Sequence, residues 1–336
     1  MTAAAAPHPH VLSRLKPHGI WGFIIRRALL GVLTLFLISI IVFAATEALP
    51  GDPARAILGR SATPEALANL RSQLHLDQPL LQQYTHWLGG FVRGNPGTSI
   101  AAGEPVTTVI GTRLRNSAVL WLLAALISTP LAIALGVVSA RRRDRPFDHA
   151  ASIIMLALAA LPEFVVAIAL VLLFGTTVFT ILPAVSLIPP GDLPWQHLNA
   201  LVLPTLTLVI AVVPYTGRIM RASMVEVLES DYVEMARLKG VAEKRVVWRH
   251  AVPNAIAPTI QVTALNLAYL AGGIVVVEYV FGYAGIGSAL VDAVHNRDIP
   301  VVQALAMLIA GVYVVLNVLA DVTAILVSPR ARTALK

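Results

Sequence analysis

Six long stretches of this chain contain no Asp, Glu, Lys or Arg: Ala28–Thr46, Asn116–Ala140, Phe164–Gly191, Leu193–Gly217, His250–Val277 and Ile299–Ala320. A helix rises about 1.5 Å per residue and needs about 20 residues to cross about 30 Å of hydrocarbon. Each stretch has that reach. Hydrocarbon offers no water to free N–H and C=O groups, so a spanning stretch of this kind folds as a helix. The third stretch extends backwards through Ala150–Pro162, with Glu163 inside it near the middle. The reading is an all-α integral membrane protein with six crossings. Composition agrees, with 57% of the 336 residues hydrophobic and 13% charged, against about 25% charged in a soluble domain. The absence of cysteine excludes disulfides, thiolate catalysis and Cys-ligated zinc.

The charges between the stretches orient them. Arg14, Lys16, Arg26 and Arg27 precede the first, with no acid among them. Arg141, Arg142, Arg143 and Arg145 follow the second. Arg218, Arg221, Arg237, Lys239, Lys244, Arg245 and Arg249 fall around the turn from the fourth to the fifth, and Arg330, Arg332 and Lys336 close the chain. With six crossings these four segments share one side, and Lys/Arg excess marks the cytoplasm. Both termini are therefore expected inside, and the net charge of +7 reflects membrane topology rather than a nucleic-acid partner. The loop 50–112, on the outer side, balances Arg55, Arg60, Arg71 and Arg93 against Asp52, Glu65, Asp77 and Glu104. Residues 1–20 lack the continuous apolar core and cleavage site of a signal peptide. They read as a cytosolic tail with His8, His10 and His18 solvated rather than metal-bound. The membrane domain runs over 21–328, and 329–336 is a second cytosolic tail.

The outer loop 50–112 carries helix signals. Thr63, Pro64 and Glu65 are an N-cap, a first-turn proline and a first-turn acid. Leu67, Leu70 and Leu74 repeat at helical spacing, as do Leu81, Tyr84, Trp87 and Leu88. Two short amphipathic helices are expected, their apolar sides packed on the bundle or offered to a partner.

The cytoplasmic segment 221–253 is crowded with charge. Val225, Leu228, Tyr232, Met235 and Ala236 share one helical face, away from Glu229, Glu234 and Arg237. Gly240 ends this helix in the manner of a C-terminal glycine. A second short helix, Glu243–Arg249, follows, and Pro253 and Pro258 punctuate entry to the fifth crossing. The result is a helix–glycine–helix elbow under the membrane, shaped as a docking knob for a soluble partner.

This stretch resembles the EAA loop of permease subunits in binding-protein-dependent ABC importers. Glu234-Met235-Ala236, Gly240 and Val252-Pro253 fit the spacing, with Met235 in place of alanine and His250 where isoleucine is usual. The match is best to the dipeptide, oligopeptide and nickel branch. It includes Asp231-Tyr232-Val233, Ala236-Arg237, Lys239-Gly240, Arg249-His250-Ala251, Asn254-Ala255 and Pro258. Further blocks are Pro50-Gly51-Asp52-Pro53, Leu76-Asp77-Gln78-Pro79, Gly94-Asn95-Pro96-Gly97-Thr98-Ser99, Glu278-Tyr279-Val280-Phe281 before Gly285-Ile286-Gly287, Arg297-Asp298 with Pro300 to Gln303, and Ser328-Pro329-Arg330 with Arg332. The resemblance implies a type I six-helix transmembrane domain in the bacterial inner membrane. It implies two cytosolic ATPase subunits holding ATP and Mg, a second homologous permease and an extracytoplasmic solute-binding protein. It assigns Tyr232, Glu234, Met235, Ala236, Arg237, Gly240, His250 and Pro253 to ATPase coupling. The chain contains no Gly-x-x-x-x-Gly-Lys-[Ser/Thr], so no Walker A phosphate cradle. It is read as a transport subunit without its own ATPase site, cofactor or metal.

Polar groups within the bilayer are costly and face protein or water. Glu163 lines the pathway and meets the amino terminus of a peptide, or it pairs with a neighbouring helix or the second permease. Gln261 and Asn266 are further pathway candidates. Glu278 is expected to anchor the glycine-rich loop that follows it. Asn317 and Asp321 are expected to bond across helices, and Gly272-Gly273 to permit close helix packing. Peptide is the favoured cargo; nickel or another small solute is the near alternative. An ion-coupled secondary transporter needs an internal repeat and coupling carboxylates and leaves the elbow without a role. An intramembrane enzyme needs an HExxH or a Ser/His or Asp pair, which the sequence does not offer.

Overall fold

Every main-chain polar group inside hydrocarbon must be bonded within the chain, and the chain meets this demand with helices. The computed structural model describes residues 19–48, 54, 58, 63–73, 77–189 and 191–327. Most of the expected tail 1–20, the block 50–53, residues 74–76 and the segment 328–336 lie outside them. The helices are α1 (Gly19–Glu47), α2 (Pro64–Gln73), α3 (Leu80–Val92), α4 (Val106–Arg141), α5 (Pro146–Ala159), α6 (Glu163–Leu170), α7 (Leu198–Leu228), α8 (Asp231–Leu238), α9 (Glu243–Phe281), α10 (Ile286–His295) and α11 (Ile299–Val327). α1, α4, α7, α9 and α11 are each long and apolar enough to cross a membrane.

The third crossing differs from the continuous helix expected of it. α5 and α6 are bent by 106° at the break between them. Pro162 has no N–H to donate, and its ring disfavours helical geometry at Leu161. The last turn of α5 tightens accordingly, with Ala160 N–H bonding Ala157 O at 3.2 Å and Leu161 N–H bonding Leu158 O at 3.2 Å. Pro162 is extended at ψ 145, and its carbonyl accepts from Val165 and Val166 to restart the helix. α6 then widens into a π turn over Val171–Thr176. The rest of the uncharged stretch, 177–189, is loop rather than helix. α4, α7 and α9, in contrast, continue past the ends of their uncharged stretches, because a helix does not stop where the hydrocarbon does.

Among the described residues, packing fixes the relative directions of the long helices. Leu120 and Ala124 of α4 share a core with Leu201, Leu203 and Leu208 of α7. Further along, Val137 and Ala140 meet Met220 and Met224. α4 and α7 are therefore parallel, and the chain between them must return across the membrane; the bent pair with its loop makes that sixth traverse. α1 and α11 are antiparallel, since Thr46 bonds Gln303 at 2.7 Å at one end and Arg27 pairs with Asp321 at 3.0 Å at the other. The start of α1 and the end of α11 thus lie on the same face, together with the ends of α4 and α7 and the start of α9.

α4 and α7 approach closely because glycine permits it. A Cβ on Gly136 would lie 2.6 Å from Met220 Cβ and 2.8 Å from the Gly217 carbonyl oxygen. On the opposite face, Thr63 Oγ1 caps α2 by accepting from Ala66 N–H at 3.2 Å. α3 lies on the end of α1, with Tyr84 hydroxyl 2.8 Å from Ser39 Oγ and Phe43, Tyr84, Trp87 and Phe91 in mutual ring contact. Leu81 is left off this packed side and is exposed.

Because the chain has no cysteine, single cysteines report its sidedness. Substitutions at Arg143 and Lys239 are expected to react with a membrane-impermeant maleimide from one side only. Those at Glu104 and Trp195 should react from the other. Labelling of Trp195 from the same side as Arg143 would overturn the sixth traverse.

Candidate docking elbow and intramembrane polar sites

The elbow is built from two breaks. α7 ends at Leu228, and Ser230 starts α8 from an extended conformation at ψ 147. Val225 and Leu228 therefore belong to a different helix from Tyr232, Met235 and Ala236, and the single apolar face expected across them does not form. Asp231 and Glu234 occupy the first turn of α8, where the helix dipole favours negative charge. Val233 is fully buried and seats α8 on the bundle, whereas Tyr232 and Met235 are 46% and 52% exposed and Leu238 is 75% exposed. Ala236 is half-buried and Glu234 exposed. α8 thus turns apolar side chains away from its own chain.

Gly240, at φ +74, ends α8. Its N–H bonds Arg237 O at 2.9 Å, and Val241 N–H reaches back to Ala236 O at 3.2 Å, the paired bonding that a left-handed residue closes at a helix end. A Cβ at Gly240 would meet nothing within 4 Å, so the glycine is required for its backbone angle and not for space. Arg237 locks the corner. Its Nε and Nη2 donate to Glu243 at 3.1 and 3.0 Å, and its Nη1 donates to Leu228 O at 3.2 Å.

The expected short helix Glu243–Arg249 does not end before the membrane. It runs into α9 through a π turn at Val246–Ala251. Pro253 cannot donate to the carbonyl one turn back, and beside it Asn254 Nδ2 bonds His250 O at 2.7 Å. His250 is half-buried and Pro253 exposed. Trp248 is 54% exposed. Leu238 and Trp248 were not singled out in the sequence; their signal was large apolar side chains within an otherwise charged segment.

Glu163 opens α6 at the helix break. Its carboxylate lies beside the Tyr269 hydroxyl, and a Cβ on Gly273 would stand 3.5 Å from its Oε1. Gly272 has open space around it. Among the described residues neither glycine lies at a close helix contact, and a side chain at Gly273 would meet Glu163 at ordinary contact distance. Asn266 Nδ2 donates to Thr216 Oγ1 of α7 at 3.0 Å, and Gln261 is half-buried on the same helix. Asn266, Tyr269 and Gly273 form one stripe of α9 at helical spacing.

Glu278 is fully buried near the end of α9. Ser117 Oγ of α4 donates to its Oε1, and Gly287 and Ser288 N–H donate to Oε2 at 2.7 and 3.4 Å. A Cβ on Gly285 would lie 2.1 Å from Oε1, so the loop can close over the carboxylate only without a side chain there. A second carboxylate, Asp298, accepts from Ser99 Oγ and from Ile100 and Ala101 N–H at 3.1 and 3.2 Å. Of the pair expected in α11, Asp321 bonds across helices to Arg27, whereas Asn317 donates within its own helix to Tyr313 O at 2.9 Å. The sequence also left unnoticed a pair on the charged face, the buried Asp148 of α5 with the half-buried Arg221 of α7, which local pattern does not betray because the partners are far apart in the chain.

Gly285→Ala is expected to lower stability by about 1–3 kcal/mol, read as thermal unfolding in detergent. An unchanged transition would mean that Glu278 is free to move aside.

Comparison with known proteins supplies relatives over most of the length. Residues 132–333 match the family described as binding-protein-dependent transport system inner membrane component, and residues 20–135 match the N-terminal region of such membrane components. The chain is 35% identical over 312 residues to a probable peptide ABC transporter permease of Sinorhizobium fredii, spanning 92% of this chain and 99% of that protein. It is 36% identical over 309 residues to a putative peptide transport system permease of Brucella abortus, spanning 92% and 98%. It is 36% identical over 310 residues to a glutathione transport system permease of Escherichia coli K12, again spanning 92% and 98%.

Proposed function

This chain belongs to the family of binding-protein-dependent transport system inner membrane components, multi-pass subunits of ABC importers, and from that premise we propose that it is the permease for short peptides. The cargo reading is supported by the names carried by its relatives, peptide and glutathione permeases. The partners are two cytosolic ATPases that hold ATP and Mg, a second homologous permease and an extracytoplasmic binding protein. Both termini lie in the cytoplasm. Within the membrane domain 21–328, the outer loop 50–112 faces the binding protein and 221–253 faces an ATPase.

The observation that carries the coupling role is the outward apolar face of α8. Tyr232, Met235 and Leu238 stand exposed on a helix fixed by Val233 beneath and by Gly240 and Arg237 at its end. Burying that face against an ATPase supplies docking energy, and Glu234 with the surrounding Arg and Lys residues sets register. Closure of the ATPases pushes α8, and the bundle rocks between outward- and inward-open states. Nucleotide then needs to favour one state by only a few kcal/mol, about what differential binding supplies. The chain itself hydrolyses nothing. Glu163, at the start of a broken helix and beside the open stripe of α9, receives the ammonium of a peptide.

Two outcomes test these assignments. Gly240→Val strains the left-handed position and is expected to uncouple ATP hydrolysis from uptake while the protein stays in the membrane. Uptake at the native rate would remove the docking role. Glu163→Gln is expected to raise the KM for a labelled tripeptide severalfold, since a charge-assisted hydrogen bond becomes a neutral one. Identical kinetics would sink the contact.

A further inference from the structure

α5 leads from the charged face to the bend at Leu161-Pro162, and so to Glu163. Its outer side is bare: Ile153, Ile154 and Leu156 are all exposed. Its inner side meets α7 at two levels. Met155 is buried, and its Sδ would lie 3.1 Å from a Cβ on Gly217, a smooth contact between a flexible thioether and a glycine. Seven residues, about two turns, nearer the charged face, Asp148 faces Arg221. The carboxylate is 1% exposed, with Arg221 Nε donating to Oδ1 and Nη2 to Oδ2, both at 2.6 Å. Its remaining partner is local, Asp144 N–H at 3.1 Å. A two-pronged guanidinium–carboxylate pair is directional in a way that an apolar contact is not. The buried carboxylate cannot part from Arg221, which is itself 28% exposed, without being left unpaired.

The same stretch of chain holds the elbow. α7 carries Arg221 and continues to Leu228, whose carbonyl is held by Arg237 of α8. Arg143, in the loop before α5, donates to Glu229 in the link between α7 and α8. A push on α8 is therefore delivered to α7, and Asp148–Arg221 is the rigid connection from α7 to α5.

We propose that Asp148 and Arg221 are positioning residues that make α5 travel with α7, so that displacement of the elbow reaches the broken helix and Glu163. This rests on the importer reading. Without the pair, α5 slides on its glycine contact, and the carboxylate at the break no longer follows the motor.

The test uses the assembled importer with its ATPases, sister permease and binding protein in liposomes, with spin labels on cysteines placed in the cysteine-free chain. The pair Ile154/Val315 reports α5, and the pair Leu206/Val315 reports α7. In the native background, ATP with vanadate is expected to shift both distances. In Arg221→Lys, which keeps the charge but loses the two-pronged geometry, the α7 distance is expected to shift and the α5 distance to stay, with transport per ATP falling roughly fivefold or more, in the range of ordinary coupling energies. The charge-exchanged variant D148R/R221D is expected to restore joint movement. Joint movement retained in both Arg221→Lys and Asp148→Asn would overturn the proposal. No shift of either pair in the native background would overturn the coupling role proposed for α8 and this proposal with it.

Discussion

The architecture depends on the close parallel contact of α4 with α7. In hydrocarbon, apolar side chains gain little by leaving lipid for one another, and helices hold together where backbones come near enough for dense packing. Gly136 provides that approach, lying against Met220 and the Gly217 carbonyl. Two parallel neighbours consecutive among the long helices force the intervening chain to cross back, and this chain does so through a helix broken at Pro162. The break is what sets a carboxylate at the head of α6 against the Gly273 stripe of α9. The contact between two glycine-bearing helices and the placement of Glu163 are thus one arrangement seen at two points.

The two faces of the bundle are built on different principles. On the face of α3 and α10, two buried carboxylates are satisfied by backbone N–H groups and serines, Glu278 closing the loop before α10 and Asp298 clasping the loop at Ser99. Buried acceptors of this kind rigidify what surrounds them, because leaving them unbonded is costly. On the opposite face the links are made by arginines, and apart from Asp148–Arg221 they are more exposed: Arg143 to Glu229, Arg237 to Glu243, Arg27 to Asp321. There the apolar groups of α8 are left uncovered.

Much of this was legible beforehand, and the failures share a cause. The crossings could be read because a charge in hydrocarbon is expensive, which clears whole stretches of ionisable residues. The glycine end of α8 could be read because few other residues take its backbone angle. The break at Pro162 could not be read from proline alone, since Pro130, Pro204, Pro214 and Pro258 sit inside unbroken helices. Whether a proline breaks a membrane helix turns on what neighbouring helices do with the freed carbonyls. The split between Leu228 and Tyr232 escaped notice for a similar reason: helical spacing ran through Ser230, but an extended residue there turned α8 onto its Val233 side.

What the amino-acid sequence determined by itself was therefore everything carried by solvent and by single-residue geometry: the membrane class, the spans, the charged side, the outer helix signals, the elbow and its family resemblance. Only the tertiary structure decided which helices are parallel, where the third crossing bends, which apolar groups of α8 face outward, and that Asp148 meets Arg221 and Ser117 meets Glu278. Those pairings join residues far apart in the chain, and they depend on the angle and depth at which whole helices pack, which no local pattern encodes.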